Sequence, residues 1–280
     1  MPRPTSTARR ELGEELRRLR GERKGATIAH ALGWSESKLS RIETARTGIR
    51  DSDLDHLLAV VEAPLVDRRR LRELARRGRA RVWWTPYRSS LTEPYDEYVA
   101  LEAEATAVCE WEAQLVPGLL QTDEYARSVI EAGADRADPD VIETRVHLRM
   151  NRQSALSREG APQLCVVLDE AVLRREVGGR GVLRRQLGRL FDACDRPGIE
   201  LQVLPFAAGV HGALTGSFLI LEFGVARPAV VHSEGVTGGV FRTRDAELAI
   251  YRKVFDDLRN RSLSRADSRT LIARAGEGLW

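Results

Sequence analysis

The chain has 280 residues, of which 42% are hydrophobic and 30% are charged. This balance is typical of a folded globular protein, and the length favours two domains. No apolar run approaches the roughly 20 residues that cross a bilayer, and the basic N-terminus lacks the apolar centre of a secretory signal. We therefore expect a cytoplasmic protein with no membrane partner.

Positive charge is concentrated at the N-terminal end of the chain. Residues 1–82 carry 20 Lys or Arg and 12 Asp or Glu, a net charge of +8, whereas residues 83–280 carry 24 and 29, a net charge of −5. This asymmetry indicates a cationic module that approaches a polyanion, joined to an acidic body that does not. A solvated arginine-rich helix is the alternative.

Cysteine and histidine are too scattered to predict a metal site. Cys109, Cys165 and Cys194 lie far apart, with no second cysteine or histidine at ligand spacing. We expect buried free thiols, and neither a metal nor another cofactor.

The N-terminal region is predicted to consist of short helices. After a cap at Ser6 or Thr7, leucines recur at the spacing of one buried helical stripe. A second helix is predicted over residues 27–32, and Gly33 supplies the permissive backbone of a tight turn. Ser35 is the predicted cap of a third helix.

The third helix is predicted to present a polar face to the outside. Leu39 and Ile42 lie three residues apart and face inward. The remaining side chains are short hydroxyls and charged groups near the helix N-terminus, which is the end that meets base edges in a major groove. They are Ser35, Glu36, Ser37, Lys38, Ser40 and Arg41.

The runs LGEELRRLR and IAHALGWSESKLSRIE resemble the XRE-type (Cro/cI-like) helix-turn-helix family over about residues 10–62. The resemblance implies that residues 27–32 support a recognition helix at 35–43, which reads double-stranded DNA. The loop before the supporting helix is about two residues shorter than the common pattern, and Thr44 and Ala45 stand where a glycine often ends the helix. Arg46 is a candidate phosphate contact, with a solvated turn as the alternative.

A fourth helix and a basic helix are predicted to follow. Asp51 or Ser52 is the predicted cap of the fourth helix. Residues 68–81 hold eight arginines in fourteen positions, and these either neutralise phosphates or pair with the acidic C-terminal body. The predicted division is a helix-turn-helix domain at 1–64, a basic linker helix at 65–82 and a C-terminal domain at 83–280.

The C-terminal region is predicted to be α+β. Trp83, Trp84 and Tyr87 mark its beginning, and a helix is expected over 95–108. Short runs rich in Val, Ile, Leu and Phe predict strands, and helical stretches lie before, between and after them. These elements favour a small, mostly antiparallel sheet wrapped by helices. The predicted strands are 163–168, 199–204, 217–223 and 229–232.

The runs that begin at Trp111, Val167 and Leu201 resemble a widespread actinobacterial C-terminal domain found in WhiJ-like developmental regulators. They read WExxLVPGLLQT, VLDEAVLRR and LQVLPFAAGVH, and the resemblance covers about residues 84–275. It implies a regulator whose larger half senses a small-molecule effector or a small partner protein encoded nearby. It does not identify that ligand.

Candidate ligand contacts in this half are few. Arg149 and Arg152 lie three residues apart on one helix face and suit an anionic ligand, with surface ion pairs as the alternative. Gln121, Glu170 and His211 stand in or beside turns, where loops commonly carry specificity, and a structural role is the alternative for each.

Motifs of catalysis are missing from the sequence: it has no nucleophile elbow, no phosphate-binding loop and no zinc-protease motif, so we expect no enzyme. The leading hypothesis is a transcriptional regulator that binds a pseudo-palindromic operator as a homodimer. The alternative is a protein-interaction module, the antitoxin-like half of a two-gene pair, whose DNA binding is autoregulatory.

Overall fold

The computed structural model divides the chain into two compact units, residues 1–83 and 84–280. The predicted junction aromatics Trp83, Trp84 and Tyr87 lie outside the residues that the structure describes. Those described are 7–79, 95–133, 138–158, 160–224, 227–235 and 238–278.

The described part of the N-terminal unit is helical. Helices this short are marginal in isolation, so their stability comes from the apolar faces they bury against one another. One core collects those faces and includes Leu12, Leu39, Leu58 and Leu71. The helices are α1 (Thr7–Arg20), α2 (Gly25–Ala31), α3 (Glu36–Glu43), α4 (Asp51–Val60) and α5 (Leu65–Arg79).

Helix α5, which the sequence suggests as a separate linker, packs against α1 and α4. Its residues Leu71, Leu74 and Ala75 are buried in the same core as the first four helices. The packed N-terminal fold therefore continues beyond residue 64 and includes α5.

The turn between α2 and α3 follows the prediction. Gly33 takes a left-handed backbone with φ of +65°, and the Ser35 hydroxyl accepts a hydrogen bond from the Lys38 backbone N–H at 3.2 Å. After α3, Ala45 adopts a φ of +59°, so an alanine holds the left-handed turn that glycine usually supplies.

The predicted cap of α4 is wrong. Arg50 occupies the capping position, and its side chain makes no capping hydrogen bond. Asp51 and Ser52 are the first two residues of the helix itself. Asp51 and Asp53 there favour the helix through its dipole, because a negative charge is stabilising near an N-terminus.

The described part of the C-terminal unit mixes helices and strands. Its elements are α6 (Tyr95–Glu104), β1 (Ala107–Glu112), α7 (Asp123–Gly133), α8 (Pro139–Arg152), β2 (Gln163–Asp169), α9 (Glu170–Arg174), α10 (Arg180–Ala193), β3 (Ile199–Leu204), β4 (Phe218–Glu222), β5 (Val230–Gly235), β6 (Gly238–Arg242), α11 (Asp245–Arg261) and α12 (Arg265–Gly276).

The strands form one mixed sheet in the order β3-β2-β1-β4-β5-β6 among the described residues. Strands β1, β2 and β3 run parallel, whereas the pairs β1-β4, β4-β5 and β5-β6 are antiparallel. The predicted α+β fold with a mostly antiparallel sheet is confirmed. Two details differ: α6 ends at Glu104 and not at Val108, and β1 and β6 were not predicted.

The two faces of the sheet have different partners. Trp111 of β1 and Val231 of β5 lie in an apolar core with Phe255 of α11. Side chains alternate along a strand, so Glu110 and Glu112 lie on the opposite face from Trp111. Helices α6, α7 and α8 contribute the residues that surround a cavity above this second face.

Candidate nucleic-acid interface and ligand cavity

The polar face of α3 lies on the outside of the N-terminal unit. Leu39 and Ile42 are buried and attach the helix to its neighbours. The predicted DNA-contacting side chains, apart from Lys38, are exposed. They are Ser35, Glu36, Ser37, Ser40, Arg41 and Arg46.

Lys38 is partly exposed and already has a partner. Its Nζ lies 3.0 Å from Asp53 Oδ2 and 3.9 Å from the centroid of the Trp34 ring. The ammonium is therefore oriented by an ion pair and a cation–π contact. A base or phosphate contact would require Lys38 to exchange Asp53 for DNA.

A buried carboxylate fixes α3 against α1. Glu43 accepts hydrogen bonds from Arg20 Nε at 2.7 Å and from a second Arg20 nitrogen at 3.1 Å. The two side chains are 8% and 19% exposed, so water screens this pair less than it screens a surface pair. Gly13 lies beside the same contact, where a methyl group would come within 2.5 Å of the Glu43 carbonyl oxygen.

The short loop before α2 is held by an arginine. Arg23 donates hydrogen bonds at 3.0 Å to the carbonyls of Leu19, near the end of α1, and of Val61, which follows α4. A basic group that satisfies terminal carbonyls stabilises the ends of both helices. The loop thus keeps the two helix ends together.

Two arginines of α5 whose side chains the structure describes, Arg70 and Arg72, have partners in their own unit. Arg70 lies 2.7 Å from Glu15 and 3.6 Å from Glu11 of α1. Arg72 lies 2.8 Å from Asp55 of α4. The sequence suggested phosphate or the C-terminal body as partners of these arginines, whereas the observed pairs are with carboxylates of α1 and α4.

A cavity of about 740 Å³ lies in the C-terminal unit, between the sheet and helices α6, α7 and α8. Three predicted ligand contacts, Gln121, Arg149 and Arg152, line it together. The other two do not. Glu170 begins α9 and accepts a hydrogen bond from the Phe206 backbone N–H at 2.9 Å, and His211 packs edge-on against Trp111, 5.1 Å between ring centroids.

Arg152 is saturated by its neighbours. It donates to both carboxylate oxygens of Glu102, at 2.8 and 2.6 Å. It also donates to the hydroxyls of Tyr95 and Tyr98, at 2.6 and 2.8 Å. Since Arg152 and Glu102 are both buried, this bidentate pair builds the cavity wall and leaves little capacity for a ligand.

Arg149 is less fully used. One of its terminal nitrogens donates to Gln121 Oε1 at 2.9 Å, and Gln121 in turn donates to the Val116 carbonyl at 2.7 Å. The Arg149 Nε is buried and has no hydrogen-bond partner among the described residues. This guanidinium is therefore held in place at the cavity with donor capacity to spare.

The acidic floor of the cavity was not predicted. Burial raises the pKa of Glu110 well above its usual value, and the Glu112 carboxyl adds to this shift. Burial also raises the pKa of Glu112 to about 7, although its side chain keeps some exposure. The available signal was the alternation of Cys109, Glu110, Trp111 and Glu112, which is a strand pattern.

An aromatic row borders the same floor. The His232 ring stacks on Tyr98, with 4.9 Å between ring centroids, and lies 4.8 Å from the Phe241 ring. Burial, with smaller contributions from Arg152 and Arg242, lowers the pKa of His232 to about 4. His232 is therefore neutral at pH 7 and contributes an uncharged aromatic ring to the cavity lining.

The N-terminal unit is a helix-turn-helix domain: residues 11–71 match the family model described as a helix-turn-helix domain. Residues 95–274 match the model described as Domain of unknown function (DUF5753), and the chain belongs to that family. Both resemblances inferred from the sequence are thereby confirmed at the level of the two domains. No curated protein and no solved structure matches the chain significantly.

Two further properties concern the described residues only. Among them, no helix is long and apolar enough to span a membrane. Within the same residues, no group of three or more His, Cys, Asp or Glu side chains is arranged to hold a metal ion.

Proposed function

We propose that this protein is a sequence-specific DNA-binding transcriptional regulator. The observation that carries the proposal is the exposed polar face of α3 on a helix-turn-helix core, with Arg41 exposed on it. Arginine and short hydroxyls pair with base edges and phosphates in the major groove, so this face would supply both specificity and affinity.

The test is operator binding by two single variants. Lys38→Ala and Arg41→Ala are each expected to weaken binding by roughly 1 to 3 kcal/mol, because each removes a cation from the polar face of α3, which we call the reading face. Duplexes selected from a random pool by the full chain supply the operator. Arg180→Ala removes an 89% exposed arginine side chain from the C-terminal unit and serves as the control. Parental affinity in both α3 variants would overturn the proposal.

The active form is proposed to be a homodimer. In a two-fold symmetric dimer, helix α3 of each chain would read one half-site. The two half-sites would then lie about 34 Å apart, which is one turn of DNA. Selected operators are then expected to be pseudo-palindromic, and the complex to contain two chains by native mass spectrometry. A one-to-one complex on an asymmetric site would refute the dimer.

The C-terminal unit is proposed to bind a small-molecule effector that changes operator affinity through linkage. The cavity supports this role, since pockets of about 300–1,000 Å³ hold small organic ligands. Its volume of about 740 Å³ lies in that range, and charged side chains from two elements, Glu112 and Arg149, line it.

The second candidate is a partner-protein module, as in an antitoxin-like pair with autoregulatory DNA binding. The exposed apolar side chains of the segment between β3 and β4 favour it: Phe206, Val210 and Leu214 are 55%, 82% and 63% exposed. Under this candidate, Val210→Asp abolishes capture of the product of the adjacent gene. If Val210→Asp leaves capture unchanged, this segment no longer supports the second candidate.

A further inference from the structure

We propose that the cavity of the C-terminal unit binds a small zwitterion with an apolar body, with its ammonium group against Glu110, Glu112 and Glu234 and its acidic group against Arg149. This inference rests on the proposed effector-binding function and names the chemical class of the effector. It follows from the distribution of charge within the cavity.

The floor of the cavity carries carboxyl groups without a counter-ion. Glu110 is 6% exposed, and among the described residues no basic side chain lies within 4 Å of Glu110 or Glu112. The hydroxyl of Ser217 donates to Glu112 Oε2 at 2.7 Å, which orients that carboxylate without neutralising it. Glu234 also lines the cavity, is exposed, and lies opposite Gly239 of β6.

Burial without a counter-ion favours the protonated form of a carboxyl group, and this raises the pKa values of Glu110 and Glu112. An ammonium group bound between them would supply the missing charge and displace a proton. A ligand anion would instead favour the protonated form of the same carboxyl groups and would gain no ionic partner from them. The floor therefore selects a cationic group.

The opposite wall offers a cation for an acidic group. Arg145, Arg149 and Arg152 lie on one face of α8 and line the cavity. Arg152 is consumed by Glu102, whereas Arg149 has a buried Nε with no hydrogen-bond partner among the described residues. The guanidinium donates from one terminal nitrogen to Gln121 Oε1, and a ligand carboxylate would pair with its remaining terminal N–H groups through charge-assisted hydrogen bonds.

Apolar side chains also line the cavity. Val116 and Ile130, both buried, and Val129 and Leu219 line the cavity between helices and sheet. Contact with them favours a ligand whose amine and acid are carried on an aliphatic or aromatic body. Amino-acid-like and dipeptide-like molecules have this chemistry.

The experiment uses four matched probes with the full chain: phenylalanine, phenethylamine, 3-phenylpropionate and 2-phenylethanol. They carry both charges, the cation only, the anion only and neither. Dissociation constants are measured by titration calorimetry up to millimolar concentrations. Phenylalanine is expected to bind best, phenethylamine next, and the remaining two at least tenfold more weakly.

Variants assign each charge to its residue. Glu112→Gln is expected to weaken both amine-bearing probes at least tenfold. Arg149→Gln is expected to weaken phenylalanine and leave phenethylamine unchanged. Glu222→Gln removes an acidic side chain of β4 that pairs with Arg252 at 2.7 Å outside the cavity, and it should change neither probe. Circular dichroism of each variant verifies the fold.

Three outcomes overturn the inference: 3-phenylpropionate binds best, no amine-bearing probe binds, or Glu112→Gln binds amines as the parent does. Operator binding is measured on the same proteins and separates this inference from the proposed function. Loss of amine binding with intact operator binding leaves the DNA-binding regulator standing. Amine binding by a chain that selects no DNA sequence leaves the ligand class standing and overturns the regulator.

Discussion

Lys38 of α3 is tethered to Asp53 of α4, with 3.0 Å between Nζ and Oδ2. The pair lies at the reading face, and the side chains are 37% and 31% exposed, so solvent weakens it without removing it. It holds a cation of the recognition helix in a fixed position and also places a negative charge beside it. Under the proposed function, operator binding through Lys38 would therefore compete with a contact inside the protein.

Asp53→Asn is expected to strengthen operator binding. The substitution frees Lys38 and removes a carboxylate that repels phosphate, and an exposed pair of this kind is worth up to about 1 kcal/mol. Fluorescence anisotropy with a labelled operator measures the effect. Asp55→Asn removes the same charge from the same helix but from a pair with Arg72. If both variants strengthen binding equally, the tether to Lys38 has no specific effect.

Arg20→Ala is expected to destabilise the N-terminal unit by roughly 2 to 3 kcal/mol, because it leaves the buried Glu43 carboxylate without its main partner. Urea unfolding followed by circular dichroism gives the free energy. Arg17→Ala is the control, since Arg17 is 53% exposed and lies 3.9 Å from the same carboxylate. Equal losses in the two variants would show that Glu43 does not depend on the Arg20 hydrogen bonds.

Gly13→Ala is expected to lower stability by roughly 1 to 3 kcal/mol through overpacking. The added methyl would lie 2.5 Å from the Glu43 carbonyl oxygen, so α1 and α3 must separate. Gly188→Ala makes the same change at an exposed position of α10, where a methyl meets nothing within 4 Å. That control should stabilise by about 0.5 to 1 kcal/mol, because alanine favours helix. Thermal unfolding resolves the two signs.

Protonation of Glu112 and protonation of His232, both at the cavity, change the stability of the fold in opposite directions. Glu112 holds its proton to about pH 7 in the folded chain, against an ordinary pKa of 4.5. It faces Glu110 on its own strand, Glu234 of β5 and Arg149 of α8. The folded chain binds more protons here, so this contribution to stability is lost as pH rises from 4.5 through 7.

His232 has the reverse effect. Its pKa falls from 6.5 to about 4 in the folded chain, so the unfolded chain binds the extra proton and stability is lost as pH falls from 6.5 to 4. Glu112→Gln removes the opposing contribution. Urea unfolding of this variant is therefore expected to show a steeper loss of stability on acidification from pH 6.5 to 4.5 than the parent. Parallel profiles for the two proteins would contradict it.

The sequence predicts those parts of the fold in which one periodicity dominates. Leu39 and Ile42 place α3, and the apolar runs at 163–168 and 199–204 coincide with β2 and β3. Strand β1 was missed, although its alternation is a strand pattern, because the predicted helix over 95–108 extends across its first residues. Strand β6, Gly238–Arg242, was hidden because its two glycines are poor strand formers.

The candidate sites were predictable to different degrees. The reading face of α3 follows from local helical spacing, so its exposed residues could be named in advance. The cavity brings together Gln121, Arg149 and Glu112 through the packing of a loop and α8 beside the sheet, which spacing does not encode. The sequence also treats Arg149 and Arg152 alike, whereas tertiary contacts assign Arg152 to Glu102.

The burial of Leu71, Leu74 and Ala75 in the N-terminal core determines where that half can be cut. A fragment truncated at residue 64 would expose to solvent the apolar faces of α1 and α4 that α5 covers, and it would be prone to aggregate. A DNA-binding fragment has to retain α5 through residue 79, since that helix covers one side of the N-terminal core.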